Sequence, residues 1–452
     1  VCVVVMRSAS AADERPNVLF LFADDLTYEA IAAHRHDPTV QTPNLDRLVA
    51  RGTSFDRCYN MGSWSGAVCV ASRMMLNCGR TVWHAEARYG QAELERQAGR
   101  WWSEELKRAG YRTYFTGKWH CRASAEKSFD VVRHVRAGMP NTVEAAYDRP
   151  HHGEPDDWSP ADPKFGGFWE GGTHWSEVVA DDAIDYLDDS AKHDQPYFMY
   201  IAFNAPHDPR QSPQEFVDRY PPASIPVPDN FLPVYPYHEQ IGCGPGLRDE
   251  KLGPFPRTTH AVQVHRGEYY ALITHMDEQI GRILDQLDRD PRAANTWIFF
   301  TADHGLAVGR HGLFGKQNMY EHSVRVPFIV VGPGVEAGRT IESPIYLQDV
   351  MPTTLSLAGV ERPEYVEFTN LLPALRGQGD VGRDAVYSSY LSLQRMVIHE
   401  GWKLIVYPQA KVVRLYHVAD DPHELSDLAG QPEQRADSLV VRRTPASASG
   451  TG

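Results

Sequence analysis

The stretch N-V-L-F-L-F-A-D-D, residues 17–25, runs through apolar side chains straight into two aspartates. An unbroken apolar run of this length is typical of a strand buried on both faces of a parallel sheet. Similar runs recur along the chain, and amphipathic helical patterns separate them. This alternation predicts an α/β fold in which helices sandwich a large, mostly parallel sheet. The other runs are R-T-Y-F-T (112–116), Y-F-M-Y-I-A-F (197–203), W-I-F-F-T (297–301) and P-F-I-V-V (327–331).

Two helices and one long loop can be placed between the strands. Thr42 is the expected N-cap of a helix that begins at Pro43 and stops at Gly52. Apolar residues at helical spacing predict a longer helix over residues 263–288. Residues 204–260 are rich in Pro, Gly and Tyr with little periodicity, so we expect a long excursion over the sheet that shapes a binding site.

The sequence pattern changes towards the C terminus. Residues 371–430 alternate apolar and polar side chains between turns, which predicts a smaller C-terminal antiparallel sheet after a main domain of residues 16–370. Residues 431–452 lose the apolar pattern and are expected to form a disordered tail. Residues 1–15 resemble the end of a secretory leader, although Met6 could be a true start. We expect a periplasmic or secreted protein, with the cytoplasm as the alternative.

The charge and cysteine content exclude some classes of partner. The formal net charge of the 452 residues is -14. A nucleic-acid partner normally needs a basic face, so we expect none. The sequence contains no run of about 18 apolar residues, which argues against a membrane span. Six cysteines without a C-x-x-C pair fit neither a disulfide framework nor a zinc site, so most are expected to be buried thiols.

Polar side chains follow each of the first four apolar runs. Open α/β sheets bind ligands outside the carboxyl ends of their strands, so we expect these side chains to share one edge of the sheet. Each has an ordinary explanation alone, because an aspartate after a strand often caps a helix and a histidine beside a proline is often a loop residue. Their joint occurrence indicates a site. They are Asp24 and Asp25 after the first run, Lys118 and His120 after the second, His207 after the third, and Asp303 and His304 after the fourth.

The acidic members of this set favour a divalent cation. Asp24, Asp25 and Asp303 supply carboxylates from two distant segments, and Ca²⁺ and Mg²⁺ prefer oxygen ligands. His304 is a softer ligand and leaves Mn²⁺ as an alternative.

The basic members favour an anionic, tetrahedral substrate. Lys118, Lys316 and Arg73 are suitable cations for such a group, and His120 and His207 can donate or accept protons. Lys316 considered alone would be assigned to the solvated surface.

The segment C-V-A-S-R-M-M-L-N-C-G-R, residues 69–80, resembles the signature C-x-P/A-S-R-x-x-x-x-T-G-R of type I sulfatases in the alkaline-phosphatase superfamily. The motifs D-D, G-K-W-H, N-A-P-H-D-P, A-D-H-G and G-K-x-x-x-Y-E-H-S-V-R-V-P occur in the order expected for that family. The resemblance covers nearly the whole chain, from residue 15 to about residue 425. Ala71 stands where the commonest form has Pro, and Cys78 where it has Thr, but neither change removes a ligand.

The resemblance implies that a maturation enzyme oxidises Cys69 to Cα-formylglycine, whose hydrated aldehyde replaces the thiol as the nucleophile. It also implies a Ca²⁺ site, with Mg²⁺ or Mn²⁺ as alternatives, and makes residues 16–370 the catalytic domain. Arg73 and Lys118 are implied to hold the aldehyde hydrate, His120, His207 and Lys316 to serve the sulfate and the leaving group, and Asp24, Asp25, residue 69, Asp303 and His304 to bind the metal.

Three functions are compatible with these residues. The first is hydrolysis of a sulfate ester on a small molecule or glycan, in which the tryptophan-rich stretch 165–175 could stack a sugar ring or simply pack its loop. His174 and His311 lie in loops that could reach such a substrate. The alternatives are phosphoester or phosphonate-monoester hydrolysis, which His304 would allow, and non-catalytic binding of sulfated glycans by a chain that never acquires formylglycine.

Overall fold

The computed structural model describes residues 15–34 and 36–431. Except for residues 15 and 431, the expected leader (1–15) and the expected tail (431–452) lie outside the described residues. In chain order the strands are β1 (Asn17–Ala23), β2 (Thr53–Phe55), β3 (Cys58–Tyr59), β4 (Gly62–Ser63), β5 (Arg112–Lys118), β6 (Val131–Arg136), β7 (Trp169–Glu170), β8 (Thr173–His174), β9 (Tyr197–Ala202), β10 (Thr296–Ala302), β11 (Arg325–Val326), β12 (Phe328–Val331), β13 (Arg339–Ile341), β14 (Ile345–Tyr346), β15 (Ala385–Tyr390), β16 (Gln394–His399), β17 (Trp402–Tyr407) and β18 (Val412–His417). The α-helices are α1 (Pro43–Arg51), α2 (Val68–Cys78), α3 (Val82–Tyr89), α4 (Ala92–Gln97), α5 (Trp102–Arg108), α6 (Ala125–Ser128), α7 (Trp175–Ser190), α8 (Gln214–Val217), α9 (Thr259–Leu287), α10 (Glu321–Val324), α11 (Val350–Leu357) and α12 (Leu372–Leu375).

An eight-stranded sheet forms the centre of the molecule, in the order β13-β2-β12-β10-β1-β9-β5-β6. The central strand β1 pairs in parallel with β10 on one side and β9 on the other, and β9 pairs in parallel with β5. β12 runs antiparallel to both of its neighbours. The predicted large, mostly parallel sheet is therefore confirmed. An apolar run alone does not reveal strand direction, so the sequence could not single out β12.

Helices cover both faces of this sheet, as neighbouring residues of β5 show. Side chains point to alternate faces along a strand. Tyr114 packs against Tyr186 of α7, with ring centroids 5.1 Å apart. The next residue, Phe115, packs on the opposite face beside Tyr200, which in turn contacts Trp102 of α5. Among the described residues, no helix is both long enough and apolar enough to cross a membrane.

The helix α1 begins where the sequence predicts, but its predicted cap is wrong. The Thr42 side chain makes no capping hydrogen bond and instead accepts one from the Ala32 backbone N–H at 2.9 Å. Asp277 of α9 supplies the acceptors, because its carboxylate binds the backbone N–H of Asn44 at 3.0 Å and that of the following residue at 2.7 Å. A capping group 233 residues away leaves no local signal in the sequence.

A second, smaller sheet contains the predicted C-terminal antiparallel strands. β15, β16, β17 and β18 pair with one another in antiparallel order. The edge strand β4 comes from the first part of the chain and pairs in parallel with β15. Because β4 lies five residues before α2, the C-terminal sheet is attached directly to the segment that carries the signature cysteine.

A buried cluster of charges also joins the C-terminal sheet to the main domain. The Lys403 ammonium group on β17 lies 3.0 Å from Glu321 Oε1 and 2.7 Å from Glu424 Oε1, and all three side chains are buried. Burial raises the pKa of Glu424 to about 7, against the lowering effect of Lys403. Two carboxylates therefore share one ammonium group in a place that water cannot reach.

We expect the Glu424→Gln variant to gain stability relative to the wild type as the pH rises. The pKa of Glu424 rises from 4.5 to about 7 on folding, so the folded protein binds this proton more tightly than the unfolded chain does. The wild type therefore loses stability as the pH rises through the range between these two pKa values. Glutamine does not titrate. The measurement is the midpoint of thermal unfolding of both proteins at about pH 5 and about pH 8. Between these two pH values the midpoint of the variant should rise by several kelvin relative to that of the wild type. An equal difference at both pH values would contradict this expectation.

Candidate active site

The polar residues after the four strands leave the large sheet at one edge. Ala23 at the end of β1 is the register partner of Ala302 at the end of β10. On the other side Phe22 pairs with Ala202 of β9, and Ala202 pairs with Gly117 of β5. The structure therefore brings the residues that follow these strands together. Asp24, Asp25, Lys118, His207, Asp303 and His304 are buried, and His120 is half-buried.

Cys69 lies at the start of α2, facing this cluster. Its side chain is 2% exposed, and its Sγ lies 3.2 Å from His120 Nδ1. The N-terminal end of a helix carries partial positive charge, which favours an anion beside residue 69. The helix ends at Gly79, whose φ of 68° is in the left-handed region and whose N–H binds the Met75 carbonyl at 2.9 Å. Glycine is the residue that adopts this conformation without strain.

The donor atoms around Cys69 fit a divalent cation. One ligand atom each from Asp24, Cys69, Asp303 and His304 lie within 4.8 Å of one another. Asp25 Oδ1 is 3.2 Å from His304 Nε2. Among the described residues, the buried atoms Asp24 Oδ1 and His304 Nε2 have no hydrogen-bond partner. Leaving buried polar atoms unpaired is costly, and a set rich in carboxylate oxygens is what Ca²⁺ or Mg²⁺ needs.

Three buried cations balance the three aspartates of this cluster. The formal charges cancel, so a divalent cation would add two positive charges to the site. Such a site attracts an anionic substrate. The pairs are Arg73 with Asp303 (Nε to Oδ2, 3.0 Å), Lys118 with Asp24, and Lys316 with Asp25 (Nζ to Oδ1, 3.0 Å).

His120 and His207 are neutral at neutral pH. Burial, with the positive charges of Lys118 and Arg73, lowers the pKa of His120 to about 3. Burial and the charge of Lys316 lower the pKa of His207 well below its usual range. A neutral imidazole can accept a proton, so both side chains can act as bases.

Lys316, by contrast, keeps its proton. Although burial lowers its pKa, the carboxylates of Asp25 and Asp249 hold the pKa of Lys316 well above its usual range. Its Nζ lies 2.9 Å from His207 Nε2, which fixes the direction of the ammonium group. Lys316 is therefore a buried, charged hydrogen-bond donor rather than a surface lysine.

A cavity of about 470 Å³ opens onto these side chains. Four of the residues singled out in the sequence line it, and Arg73, Lys118 and the metal-ligand candidates other than Cys69 lie outside its wall. Residues 247–249 belong to the excursion over 204–260, which does contribute to a pocket as expected. The wall consists of Cys69, His120, His207 and Lys316, with Gln317 and residues 66–67, 137–139 and 247–249.

Sequence reasoning missed Arg248 and Asp249, which this excursion delivers, and Gln317, which lies outside it. Asp249 is buried, lines the cavity and contacts both Arg248 and Gln317. Arg248 also contacts Asp208. None of the three cavity-lining residues follows a strand of the large sheet, so the strand-end rule could not find them. Gln317, next to Lys316, was the only one with a local hint.

Two histidines suggested for substrate contact do not line the cavity. His174 is buried, and its Nε2 lies 2.9 Å from the carbonyl oxygen of Gln211. His311 stacks on Tyr320, with ring centroids 3.8 Å apart. The tryptophan-rich stretch 165–175 also contributes no residue to the cavity wall, and Phe168 within it packs against Trp175. Packing of the loop, the alternative for this stretch, describes it better.

The sulfatase family model matches residues 16–360, more than half of the chain. The chain belongs to the sulfatase family. That family is the formylglycine-dependent type I sulfatases of the alkaline-phosphatase superfamily, and the chain is a sulfuric ester hydrolase. A second model, described as the C-terminal part of N-sulphoglucosamine sulphohydrolase, matches residues 309–442 of this sulfatase.

Individual proteins resemble this sulfatase over most of its length. N-acetylglucosamine-6-O-sulfatase from Bacteroides thetaiotaomicron is 25% identical over 93% of this chain and 84% of its own length. A protein solved in complex with its substrate D-glucosamine-2-N,6-O-disulfate superposes with a TM-score of 0.73 at 23% identity, over 95% of this chain and 96% of that one. The phosphonate monoester hydrolase of Silicibacter pomeroyi also gives 0.73, at 21% identity, over 95% and 94%. These two structures show the shared fold.

Proposed function

We propose that this sulfatase hydrolyses a sulfate ester of a carbohydrate, with Cys69 converted to formylglycine beside a Ca²⁺ ion. The position of Cys69 carries the proposal: it stands at a helix start, within 4.8 Å of three metal-ligand candidates and in the wall of the cavity. The carbohydrate substrate is supported by the named activity of the Bacteroides relative and by the sugar disulfate bound in the similar structure.

The proposed metal ligands are residue 69 and the four candidates that cluster beside it. Mg²⁺ and Mn²⁺ are the alternatives to Ca²⁺. When bound, the cation and the hydrated aldehyde supply an acidified hydroxyl nucleophile on residue 69. A formylglycine-generating enzyme is the partner that this maturation requires, and the leader-like pattern of residues 1–15 supports export as part of the proposal. The ligands are Asp24, Asp25, residue 69, Asp303 and His304.

Three residues are proposed to activate and position the side chain at position 69. His120, which is neutral and 3.2 Å from the Sγ of Cys69, is placed to take a proton from a hydroxyl at that position. Arg73 is held by its bonds to Asp303 and to the Lys118 carbonyl oxygen at 2.7 Å. The positive charges of Arg73 and Lys118 stabilise the negative charge that builds up during sulfuryl transfer.

Lys316 and His207 are the proposed partners of the leaving group. A sugar alkoxide leaves poorly unless it is protonated, so a donor in the cavity wall is needed. Lys316 lines the cavity and stays charged, and His207 receives a hydrogen bond from its ammonium group at 2.9 Å. His207 in turn is held through Nδ1 by the Asp208 carbonyl oxygen at 2.7 Å.

A direct comparison of substrates tests this function. The second candidate is phosphonate-monoester or phosphoester hydrolysis, with which His304 among the metal-ligand candidates is compatible. The enzyme coproduced with a maturation system should show a kcat/KM for 4-nitrophenyl sulfate at least about tenfold above that for 4-nitrophenyl phosphate and a phenyl phosphonate ester. Release of sulfate from N-acetylglucosamine 6-sulfate then tests the carbohydrate assignment. A preference for either phosphorus substrate would reject the proposal in favour of the second candidate.

A further inference from the structure

We propose that Trp64, Tyr89 and Arg122 form an oligosaccharide subsite at the edge of the catalytic cavity. In this subsite a sugar ring lies on the aromatic side chains, and Arg122 binds a second anionic group of the glycan, a carboxylate or a sulfate. The inference rests on the proposed carbohydrate sulfatase function. It adds a selectivity for glycans that carry a further negative charge beside the sulfate ester that is cleaved.

The chain places these three side chains next to the cavity wall. Trp64 stands two residues before Gly66, and Arg122 stands two residues after His120; Gly66 and His120 both line the cavity. Tyr89, at the end of α3, connects them. Its ring centroid lies 5.8 Å from that of Trp64 and 4.4 Å from the Arg122 guanidinium carbon. The three side chains therefore contact one another in a row whose two ends, Trp64 and Arg122, are each two residues in sequence from a wall residue.

The guanidinium group of Arg122 is available for an anion. The residue is exposed, and within the described part of the chain it has no carboxylate at ion-pair distance. Stacking on Tyr89 fixes the plane of the group and leaves its N–H donors at the edge. A planar, pre-oriented guanidinium suits bidentate binding of a carboxylate or a sulfate. Arg248, which lines the cavity, is different because it contacts the buried carboxylates of Asp208 and Asp249.

The aromatic partners suit a sugar ring. Trp64 and Tyr89 are half-buried: both pack against the apolar core, and each residue keeps part of its surface open to solvent. An aromatic ring with a polar edge is a common platform at wet binding surfaces. Trp119 is adjacent to the lining residue His120 but is buried, so Trp64 is the partly exposed tryptophan nearest in sequence to a lining residue.

The negative net charge of the protein makes a local cation such as Arg122 necessary for binding an anionic glycan. The formal net charge is -14, so general electrostatic attraction does not hold a polyanionic glycan on this protein. A glycan whose sulfate ester enters the cavity extends outward past its wall. An unpaired cation at that edge then contacts the part of the glycan next to the sulfated sugar.

Inhibition by glycans of known chemistry tests the subsite. Turnover of 4-nitrophenyl sulfate is measured with a heparin tetrasaccharide, which carries carboxylates and sulfates, or a κ-carrageenan tetrasaccharide, which carries sulfates only, as competitor. Arg122→Ala should raise the inhibition constant of at least one glycan by about fivefold or more, as expected for loss of a charge-assisted hydrogen bond. Trp64→Ala should raise it too. Arg376→Ala, which removes another exposed arginine, is the matched control and should leave it unchanged.

The pattern of inhibition identifies the anionic group. An effect on κ-carrageenan, with or without an effect on heparin, assigns a sulfate ester to Arg122, and an effect on heparin alone assigns a group that only heparin carries, a carboxylate or an N-sulfate. All variants should turn over 4-nitrophenyl sulfate as the wild type does, because none of the changed residues lines the cavity. The proposal is overturned if neither glycan inhibits the wild type, or if Arg122→Ala behaves like Arg376→Ala. If the wild type fails to cleave the aryl sulfate, the proposed function fails instead, and calorimetric titration of the same glycans then decides the subsite.

Discussion

The Cys69→Ala variant is expected to lose hydrolysis of 4-nitrophenyl sulfate, with kcat reduced by about 10⁴-fold or more, as when other enzymes lose a nucleophile. Alanine cannot be converted to an aldehyde, and no other side chain stands in its place at the start of α2. The measurement is steady-state turnover of the purified variant beside the wild type, both coproduced with the same maturation enzyme.

Two further substitutions sharpen this test. Cys69→Ser keeps a hydroxyl but lacks the second one that could expel sulfate, so it should release at most one equivalent of 4-nitrophenol. Cys78→Ala is the matched control, because Cys78 is a buried thiol in the same helix. It should keep its turnover. If Cys69→Ala retained wild-type turnover, residue 69 could not be the nucleophile.

The Asp303→Asn variant is expected to lose both bound metal and activity. Asp303 is one of the four clustered ligand candidates, and its Oδ2 accepts a hydrogen bond from Arg73 Nε at 3.0 Å. Asparagine keeps the shape but removes the charge, which weakens cation binding and removes the nearer of the two carboxylates beside Arg73. We expect kcat/KM for 4-nitrophenyl sulfate to fall by about 10³-fold. Metal content after dialysis, measured by inductively coupled plasma mass spectrometry, should fall with it.

A second buried aspartate provides the control for this substitution. Asp37 is buried and pairs with Arg266 at 2.9 Å, away from the cavity wall. Asp37→Asn should lower the midpoint of thermal unfolding while the protein keeps its metal. Added Ca²⁺ should raise that midpoint in the wild type and in Asp37→Asn but not in Asp303→Asn. An Asp303→Asn protein with full metal content and full activity would contradict the assignment of this residue.

Much of the fold could be predicted because burial leaves a direct mark on the sequence. The run from residue 18 is apolar because these side chains of β1 are buried, and the parallel pairing of β1 with β9 and β10 brings the polar residues after them to one edge. What the sequence could not show depends on partners far along the chain. Asp277 replaces Thr42 as the cap of α1, and the antiparallel direction of β12 has no signal in an apolar run.

The candidate site divides in the same way. Asp24, Asp25, Asp303 and His304 could be predicted from the sequence because they follow the ends of buried strands. Lys316 does not follow a strand of the large sheet, and the sequence around it alone would assign it to the surface. It is nevertheless buried, because the carboxylates of Asp25 and Asp249 stabilise its positive charge. Asp249 arrives on a loop whose position depends on contacts with Arg248 and Gln317, for which no periodic pattern exists.

Whether residue 69 is cysteine or formylglycine decides whether this arrangement of acids, imidazoles and cations can hydrolyse a sulfate ester. The most direct test is mass spectrometry of the peptide that contains it, taken from protein coproduced with a competent formylglycine-generating enzyme. We expect the peptide to carry the mass of an aldehyde, which a hydrazide probe should trap. A peptide that carries only the unmodified thiol, in protein that still cleaves sulfate esters, would contradict the account.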